Sequence, residues 1–135
     1  MPSGYSGTPL AKKLGVKSGQ RTWRFEMPER VAREVEDTGC LPALLETPQA
    51  GLEMAHIFVT RRAELARLLV RLRKLIAPDG IIWISWPKKA ARVETDITED
   101  VIRAEALPLG FVDVKVCAID EVWSGLKLVI RKSER

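Results

Sequence analysis

The sequence has little of the side-chain chemistry that hydrolases and many metalloproteins use. It contains one histidine, His56, among 135 residues. This residue interrupts the apolar run Met54 to Val59 in its middle, away from either end. We therefore expect a hydrogen-bonded core histidine, and we predict no catalytic residues, no Ser-His-Asp triad and no metal ligands.

Cysteines and long apolar runs are equally scarce. Cys40 and Cys117 lie far apart and follow no metal-ligand spacing, so we expect two reduced thiols. The longest apolar runs are far shorter than the roughly 20 residues that cross a bilayer. Residues 1–15 contain no apolar segment typical of a secretory signal. We therefore expect a cytoplasmic protein with no membrane association.

The overall composition is that of a folded protein. Hydrophobic residues make up 46% and charged residues 30% of the chain, which favours a globular domain over disorder. We expect residues 1–135 to form a single α/β domain, with residues 1–7 flexible. The formal charge of +4 is compatible with anionic partners but is too small to require nucleic acid.

Residues 54–89 organise the fold. Met54 to Val59 and Ile81 to Trp86 are apolar runs that predict two strands buried on both faces. Between them, apolar residues recur at helical spacing and predict one helix with a single buried face: Leu65, Leu68, Leu69, Leu72, Leu75 and Ile76. The turn Pro78-Asp79-Gly80 is expected to end this helix, and the two strands should be parallel.

The rest of the chain predicts further strands and a hairpin. Arg21 to Glu26 and Leu41 to Leu45 indicate two earlier strands. Phe111 to Ile119 and Val122 to Arg131 alternate and are too close for a crossover, so they should pair antiparallel. The prediction is a Rossmann-like, mostly parallel sheet of about six strands, with helices on both faces and a C-terminal antiparallel hairpin.

Three helix starts have candidate capping residues. Thr8 precedes Pro9, which suits a first helical position. Thr60 precedes the helix after the third strand. Asp96 and Glu99 match the spacing of a capping box.

Ligands of open α/β sheets lie beyond the carboxyl ends of the strands. Lysine, arginine and indole groups at this edge could hold an anion with a flat group attached. The alternative is that the lysines are solvated loop charges and that Trp86 fills the core. The residues expected at this edge are Glu26, Met27, Thr60, Arg61, Trp86, Lys88 and Lys89.

Two other features have alternative interpretations. The helix after the third strand is rich in arginine, but its charges surround the exposed half and no aromatic residues alternate with them. We expect a solvated surface there and no nucleic-acid partner. Trp123 in the final hairpin is either a packed cap on the sheet or an anchor for a protein partner.

The order of elements is similar to a trimmed class-I methyltransferase fold, and Leu72 to Ile84 resembles the helix and strand that follow the fourth strand of that family. The resemblance implies that Glu46, at the end of strand two, holds ribose hydroxyls. It fails at Met27-Pro28-Glu29-Arg30, where the family has a glycine-rich turn. We therefore expect no cofactor, and in particular no S-adenosylmethionine.

A second resemblance covers almost the whole chain. Four segments resemble the uncharacterised bacterial family called domain of unknown function three-thousand-fifty-two: Gly4 to Gly15, Trp86 to Ala90, Thr95 to Asp100 and Val116 to Gly125. This resemblance implies a small cytoplasmic bacterial protein and brings no activity with it.

These observations favour a non-catalytic domain that binds a protein partner or a small anionic ligand. The alternatives are a small transferase dependent on S-adenosylmethionine or a nucleotide, and a nucleic-acid-binding protein. Trp123 is the candidate partner-binding residue. The candidate ligand-binding residues are Tyr5, Thr8, Glu46, Thr60, Arg61, Trp86, Lys88 and Lys89.

Overall fold

The computed structural model describes residues 8–135, so Tyr5 and the predicted flexibility of residues 1–7 lie outside the described part. The helices are α1 (Leu10–Leu14), α2 (Glu29–Glu36), α3 (Arg62–Leu75) and α4 (Glu99–Ala106). The strands are β1 (Arg21–Phe25), β2 (Ala43–Leu44), β3 (Leu52–Phe58), β4 (Ile76–Pro87), β5 (Phe111–Ala118) and β6 (Trp123–Ile130).

All six strands form one sheet in the order β2-β1-β3-β4-β6-β5. Strands β2, β1, β3 and β4 are parallel, whereas β6 is antiparallel to both β4 and β5. Helices α3 and α4 cover one face of the sheet, and α1 and α2 cover the other. The predicted fold class is confirmed, including the C-terminal hairpin.

The junction between α3 and β4 differs from the prediction. Helix α3 ends at Leu75, and β4 begins at the next residue, so Pro78-Asp79-Gly80 lies inside the strand instead of before it. The register of β3 against β4 shifts across this segment. A Cβ on Gly80 would lie 2.5 Å from the Ile76 side chain, so this glycine permits the irregular strand by leaving space for its neighbour.

The start of α3 is capped from a distant part of the chain. Arg61, not Thr60, is the N-cap residue, and its side chain makes no capping hydrogen bond. Instead, the Arg62 amide donates to Oδ1 of Asp96 at 2.6 Å. The predicted cap by Thr60 is wrong because a carboxylate from the loop before α4 satisfies the exposed amide.

The other two predicted caps are also displaced. Helix α4 is capped by Thr98, whose Oγ1 accepts a hydrogen bond from the Val101 amide at 3.2 Å. The predicted capping box at Asp96 is therefore two residues too early. In α1 the N-cap is Pro9, with no side-chain cap, so Thr8 does not serve as one.

The α1/α2 face contains several buried polar groups that are hydrogen-bonded. His56 Nε2 lies 2.7 Å from Ser85 Oγ, and Trp83 Nε1 donates to the Leu14 carbonyl at 2.8 Å. Burial, and then the positive charge of Arg24, lower the pKa of His56 to about 3. The imidazole is therefore neutral at pH 7, and the prediction of a hydrogen-bonded core histidine is confirmed.

Cys40 and Cys117 are free thiols. Burial raises the pKa of the Cys117 thiol, partly offset by Lys13 and Lys115. No helix among residues 8–135 is both long and apolar enough to cross a membrane.

Candidate functional site

A cavity of about 340 Å³ opens at the carboxyl edge of the sheet, between β1 and β3. From β1 the chain crosses to β2 on one side, whereas β3 lies on the other side of β1. This is a topological switch point, where open α/β sheets bind their ligands. The cavity is lined by Phe25, Glu26, Phe58, Thr60, Glu64 and Trp123.

Aromatic rings form one wall of this cavity. The Phe58 and Trp123 rings meet nearly at a right angle, with centroids 5.1 Å apart. Phe58 also stacks on His56, with ring centroids 4.5 Å apart. Since His56 is held by Ser85, a continuous line of packed rings connects the buried core with the cavity and fixes the orientation of its wall.

Two carboxylates give the cavity a negative charge. Glu26 follows β1 directly and has a φ of 55°, a left-handed conformation that is strained for a residue with a Cβ. Among residues 8–135, its carboxylate has no hydrogen-bond or ion-pair partner. Glu64 comes from the first turn of α3 and lies 3.7 Å from Arg67. The cavity therefore suits a positively charged group better than an anion.

A smaller cavity of about 130 Å³ shares Thr60 with the first and is also lined by Arg61, Glu94, Thr95 and Asp96. The Thr60 carbonyl accepts hydrogen bonds from Thr95 Oγ1 at 2.7 Å and from the Asp96 amide at 3.3 Å. These bonds close the loop before α4 onto the end of β3, so Thr60 joins the two cavities.

The structure brings together only some of the predicted ligand-binding residues. Thr60 lines both cavities, Arg61 the smaller one and Trp123 the larger one. Trp86 is buried in the α3/α4 core, as the alternative interpretation had it. The other described residues outside the two linings are Thr8, half-buried just before α1, Glu46, exposed beyond β2, and Lys88 and Lys89.

The predicted anion site at the lysines therefore lies outside both cavities and stays a prediction. Lys88 donates its backbone amide to the Val122 carbonyl at 2.8 Å, which ties the end of β4 to the β5–β6 turn. Lys89 is exposed in the short 3-10 turn that follows. Binding of a protein partner or a small anionic ligand stays a prediction.

Sequence reasoning missed Phe25, Phe58 and Glu64 as lining residues. Two signals could have found them. Phe25 and Phe58 are the last residues of their strands, and ligands bind beyond strand ends. Glu64 lies one turn into the helix after β3, so its side chain reaches back toward that strand end.

The arginines of α3 are partly neutralised. Three of them form ion pairs with carboxylates: Arg62 with Glu105 at 2.6 Å, Arg67 with Glu64 at 3.7 Å and Arg73 with Glu134 at 3.7 Å. This surface agrees with the expected solvated face. In the described range 8–135, no group of three or more His, Cys, Asp or Glu side chains could hold a metal ion.

No family model and no curated protein matches the chain, so the resemblance to domain of unknown function three-thousand-fifty-two stays a prediction. Solved structures do match. A methyltransferase from Aquifex aeolicus that depends on S-adenosylmethionine shares 15% identity, with a TM-score of 0.61 over 90% of this chain and 87% of that chain. A methyltransferase from Pyrococcus furiosus shares 11%, with a TM-score of 0.56 over 88% and 78%.

Fibrillarin from Aeropyrum pernix also matches, with 15% identity and a TM-score of 0.53 over 89% of this chain and 73% of that chain. That structure carries natively bound S-adenosylmethionine. The identities are low, so these matches show the fold alone: a Rossmann-like fold of the methyltransferase type.

These neighbours overturn the expectation that the chain binds no cofactor. That expectation rested on the missing glycine after β1, yet the fold is shared with an S-adenosylmethionine-dependent methyltransferase and with a fibrillarin that holds this cofactor. The physical reason lies at Glu26, which adopts at φ 55° the left-handed conformation for which glycine is the usual residue. The turn therefore forms without glycine, and a missing glycine is no argument against a cofactor.

Proposed function

We propose that this protein binds S-adenosylmethionine in the cavity between β1 and β3 and transfers the methyl group of this cofactor to an acceptor. The observation that carries the proposal is the position of the cavity at the switch point, with two carboxylates in its lining. The fold shared with S-adenosylmethionine-dependent methyltransferases supports the same conclusion.

The charges of the cavity match those of this cofactor. S-adenosylmethionine has a positive sulfonium, a positive ammonium group and one carboxylate, so its net charge is positive. Carboxylates at Glu26 and Glu64 attract positive charge, and the aromatic faces of Phe25, Phe58 and Trp123 attract cations by their quadrupoles.

Glu46 extends the proposed site along the edge of the sheet. It is exposed just beyond β2, beside β1. A carboxylate in this position is a suitable acceptor for the hydroxyl groups of a ribose. The cofactor would then lie across the ends of β2, β1 and β3.

The bound cofactor would supply an electrophilic methyl group to a nucleophile on a second molecule. The residues of this chain would bind and orient the reacting groups and exclude water from them. The aromatic wall desolvates the reacting groups, and the two carboxylates hold positive charge in place. This chemistry requires no nucleophile–base pair within the chain, which agrees with the absence of one from the sequence.

Titration calorimetry tests the proposal. We expect S-adenosylmethionine to bind to the unmodified protein and S-adenosylhomocysteine, which lacks the sulfonium charge, to bind more weakly. Glu26→Gln and Glu64→Gln should each weaken S-adenosylmethionine binding by about tenfold, since a charged contact is worth roughly 1.5 kcal/mol. Asp79→Asn removes the same charge at the opposite edge of the sheet and should bind as the unmodified protein does.

Absence of S-adenosylmethionine binding to the unmodified protein would refute the proposal. Equal weakening in Asp79→Asn would show that net charge, and not the cavity, determines the affinity.

A further inference from the structure

The turn between β5 and β6 is connected to the start of α2 through a single carboxylate. Asp120 is 7% exposed. Its Oδ1 accepts hydrogen bonds from the amides of Val122 and Trp123, each at 2.8 Å. Its Oδ2 accepts one from Nε of Arg30 at 2.7 Å. All of these bonds are charge-assisted, which makes them shorter and stronger than bonds between neutral groups.

The two segments joined in this way lie on either side of the cavity. Trp123 begins β6 and contributes its indole to the aromatic wall against Phe58. Arg30 lies in the first turn of α2, four residues after Glu26, and so holds the end of the β1–α2 turn. The Asp120–Arg30 pair thus fixes the separation between the aromatic wall and the strained carboxylate.

Local hydrogen bonds make the β5–β6 turn stiff. The Trp123 carbonyl accepts bonds from the amides of Ile119 at 2.9 Å and Asp120 at 3.3 Å, and the Val122 carbonyl accepts the Lys88 amide. These bonds hold the turn together as one unit, and it contacts α2 through the ion pair with Arg30 and through the packing of Ile119 in one apolar cluster with Val31 and Val35.

We propose that Asp120 and Arg30 are positioning residues for the cofactor cavity. Their ion pair holds the Trp123 indole and the β1–α2 turn at the distance that the cofactor requires. Neither side chain lines the cavity, so both act through the residues that they hold. This inference rests on the proposed function and adds to it the contact that sets the width of the site.

Loss of Arg30 should affect the β5–β6 turn and the cavity more than the stability of the whole protein, whereas a purely structural role would lower the melting temperature. The Arg30 side chain is 59% exposed and that of Asp120 is 10% exposed, but without Arg30 the Asp120 carboxylate keeps its hydrogen bonds from the Val122 and Trp123 amides, which limits the loss of stability. Loss of Arg30 should therefore leave the melting temperature nearly unchanged while it loosens the β5–β6 turn and the cavity.

The test uses three variants of the 135-residue chain. Arg30→Gln removes the cation, and Arg30→Lys keeps a charge that can restore part of the contact. Arg33→Gln is the control, because Arg33 is one turn further along α2 and pairs with Glu29 instead. The readouts are the dissociation constant for S-adenosylmethionine, hydrogen exchange of the Val122 and Trp123 amides by NMR, and the melting temperature.

We expect Arg30→Gln to weaken binding about tenfold, the loss typical of one charge-assisted contact. It should also accelerate exchange of the Val122 and Trp123 amides, with Arg30→Lys intermediate and Arg33→Gln unchanged. Unchanged binding in Arg30→Gln overturns the inference, and so does acceleration spread evenly over the whole chain.

Failure of the proposed function can be distinguished from failure of this inference. If the unmodified protein binds no S-adenosylmethionine, the proposed function is refuted. The exchange rates of the Val122 and Trp123 amides alone then decide whether the Asp120–Arg30 pair positions Trp123.

Discussion

The two faces of the sheet are built differently. The α3/α4 face is packed almost entirely with aliphatic and aromatic residues, among them Leu65, Leu69, Leu72, Ile82 and Ile84. The α1/α2 face also buries polar strand residues: Thr22, His56 and Ser85. The first face supplies apolar burial, whereas the second arranges polar and aromatic groups that extend to the cavity. The two faces therefore differ in the polarity of the residues that they bury, while residues packed on either face, such as Phe25 and Trp123, line the cavity.

The α3/α4 face should be the most sensitive to truncation. Leu72→Ala removes a fully buried side chain and leaves a cavity, so we expect a loss of about 3 kcal/mol in the free energy of unfolding. The neighbouring control, Val70→Ala, alters a side chain that is 46% exposed and should change stability by less than about 0.5 kcal/mol. Urea unfolding at pH 7 measures both, and a small loss in Leu72→Ala would contradict the assignment of this face as the main core.

The α1/α2 face should make stability depend on pH through His56. Its folded-state pKa is lowered to about 3 by burial and by Arg24, whereas the unfolded chain has a histidine pKa of about 6.5. Between these values the unfolded state binds the extra proton. The contribution of neutral His56 to the free energy of unfolding is therefore fully present above pH 6.5. It falls by about 1.4 kcal/mol per pH unit as the pH drops from about 6.5 toward about 3.

The matched variant is His56→Gln, which can still hydrogen-bond to Ser85 but does not titrate. We expect a shallower loss of stability on acidification from about pH 6 to pH 4.5. Urea unfolding at both pH values compares the slopes. Equal slopes for the two proteins would show that carboxylates, and not this face, control the acid response.

The smallest effect concerns the strained turn at the end of β1. Glu26→Gly removes the left-handed strain but adds freedom to the unfolded chain, so we expect a net gain below about 1 kcal/mol. Arg92→Gly is the control, since Arg92 also has a left-handed φ, of 54°. Both variants should melt slightly higher, but only Glu26→Gly should lose affinity for S-adenosylmethionine. Loss of affinity in both variants would contradict the assignment of Glu26 to the binding site.

The fold was predictable where patterns are local. The leucine spacing of α3 identifies its buried face, and the alternation after Phe111 identifies the hairpin. The α3–β4 boundary was not predictable, because Pro78 and Gly80 are typical of a turn, and only pairing with β3 extends the strand across them. Capping of α3 by Asp96 was equally hidden, since it joins residues 34 positions apart.

The candidate site was predictable only in outline. Strand ends located its edge and gave Glu26, Thr60 and Arg61, whereas Trp123 was predicted as a partner-binding residue of the final hairpin. Attention to basic residues then favoured an anion site, whereas the cavity is lined by carboxylates. The conformation of Glu26 could not be read from the sequence, because glycine is the usual signal for a left-handed residue.

The two edges of the sheet have a consequence for the behaviour of the protein at high concentration. Strand β2 spans only Ala43–Leu44, and the register of β5 shifts between Asp113 and Lys115. A short strand and an interrupted one are poor templates for a second copy of the chain, and a lysine on an edge strand opposes such pairing further. Both margins thus have features that oppose edge-to-edge pairing, although Leu44 on β2 and Val114 and Val116 on β5 are exposed apolar residues.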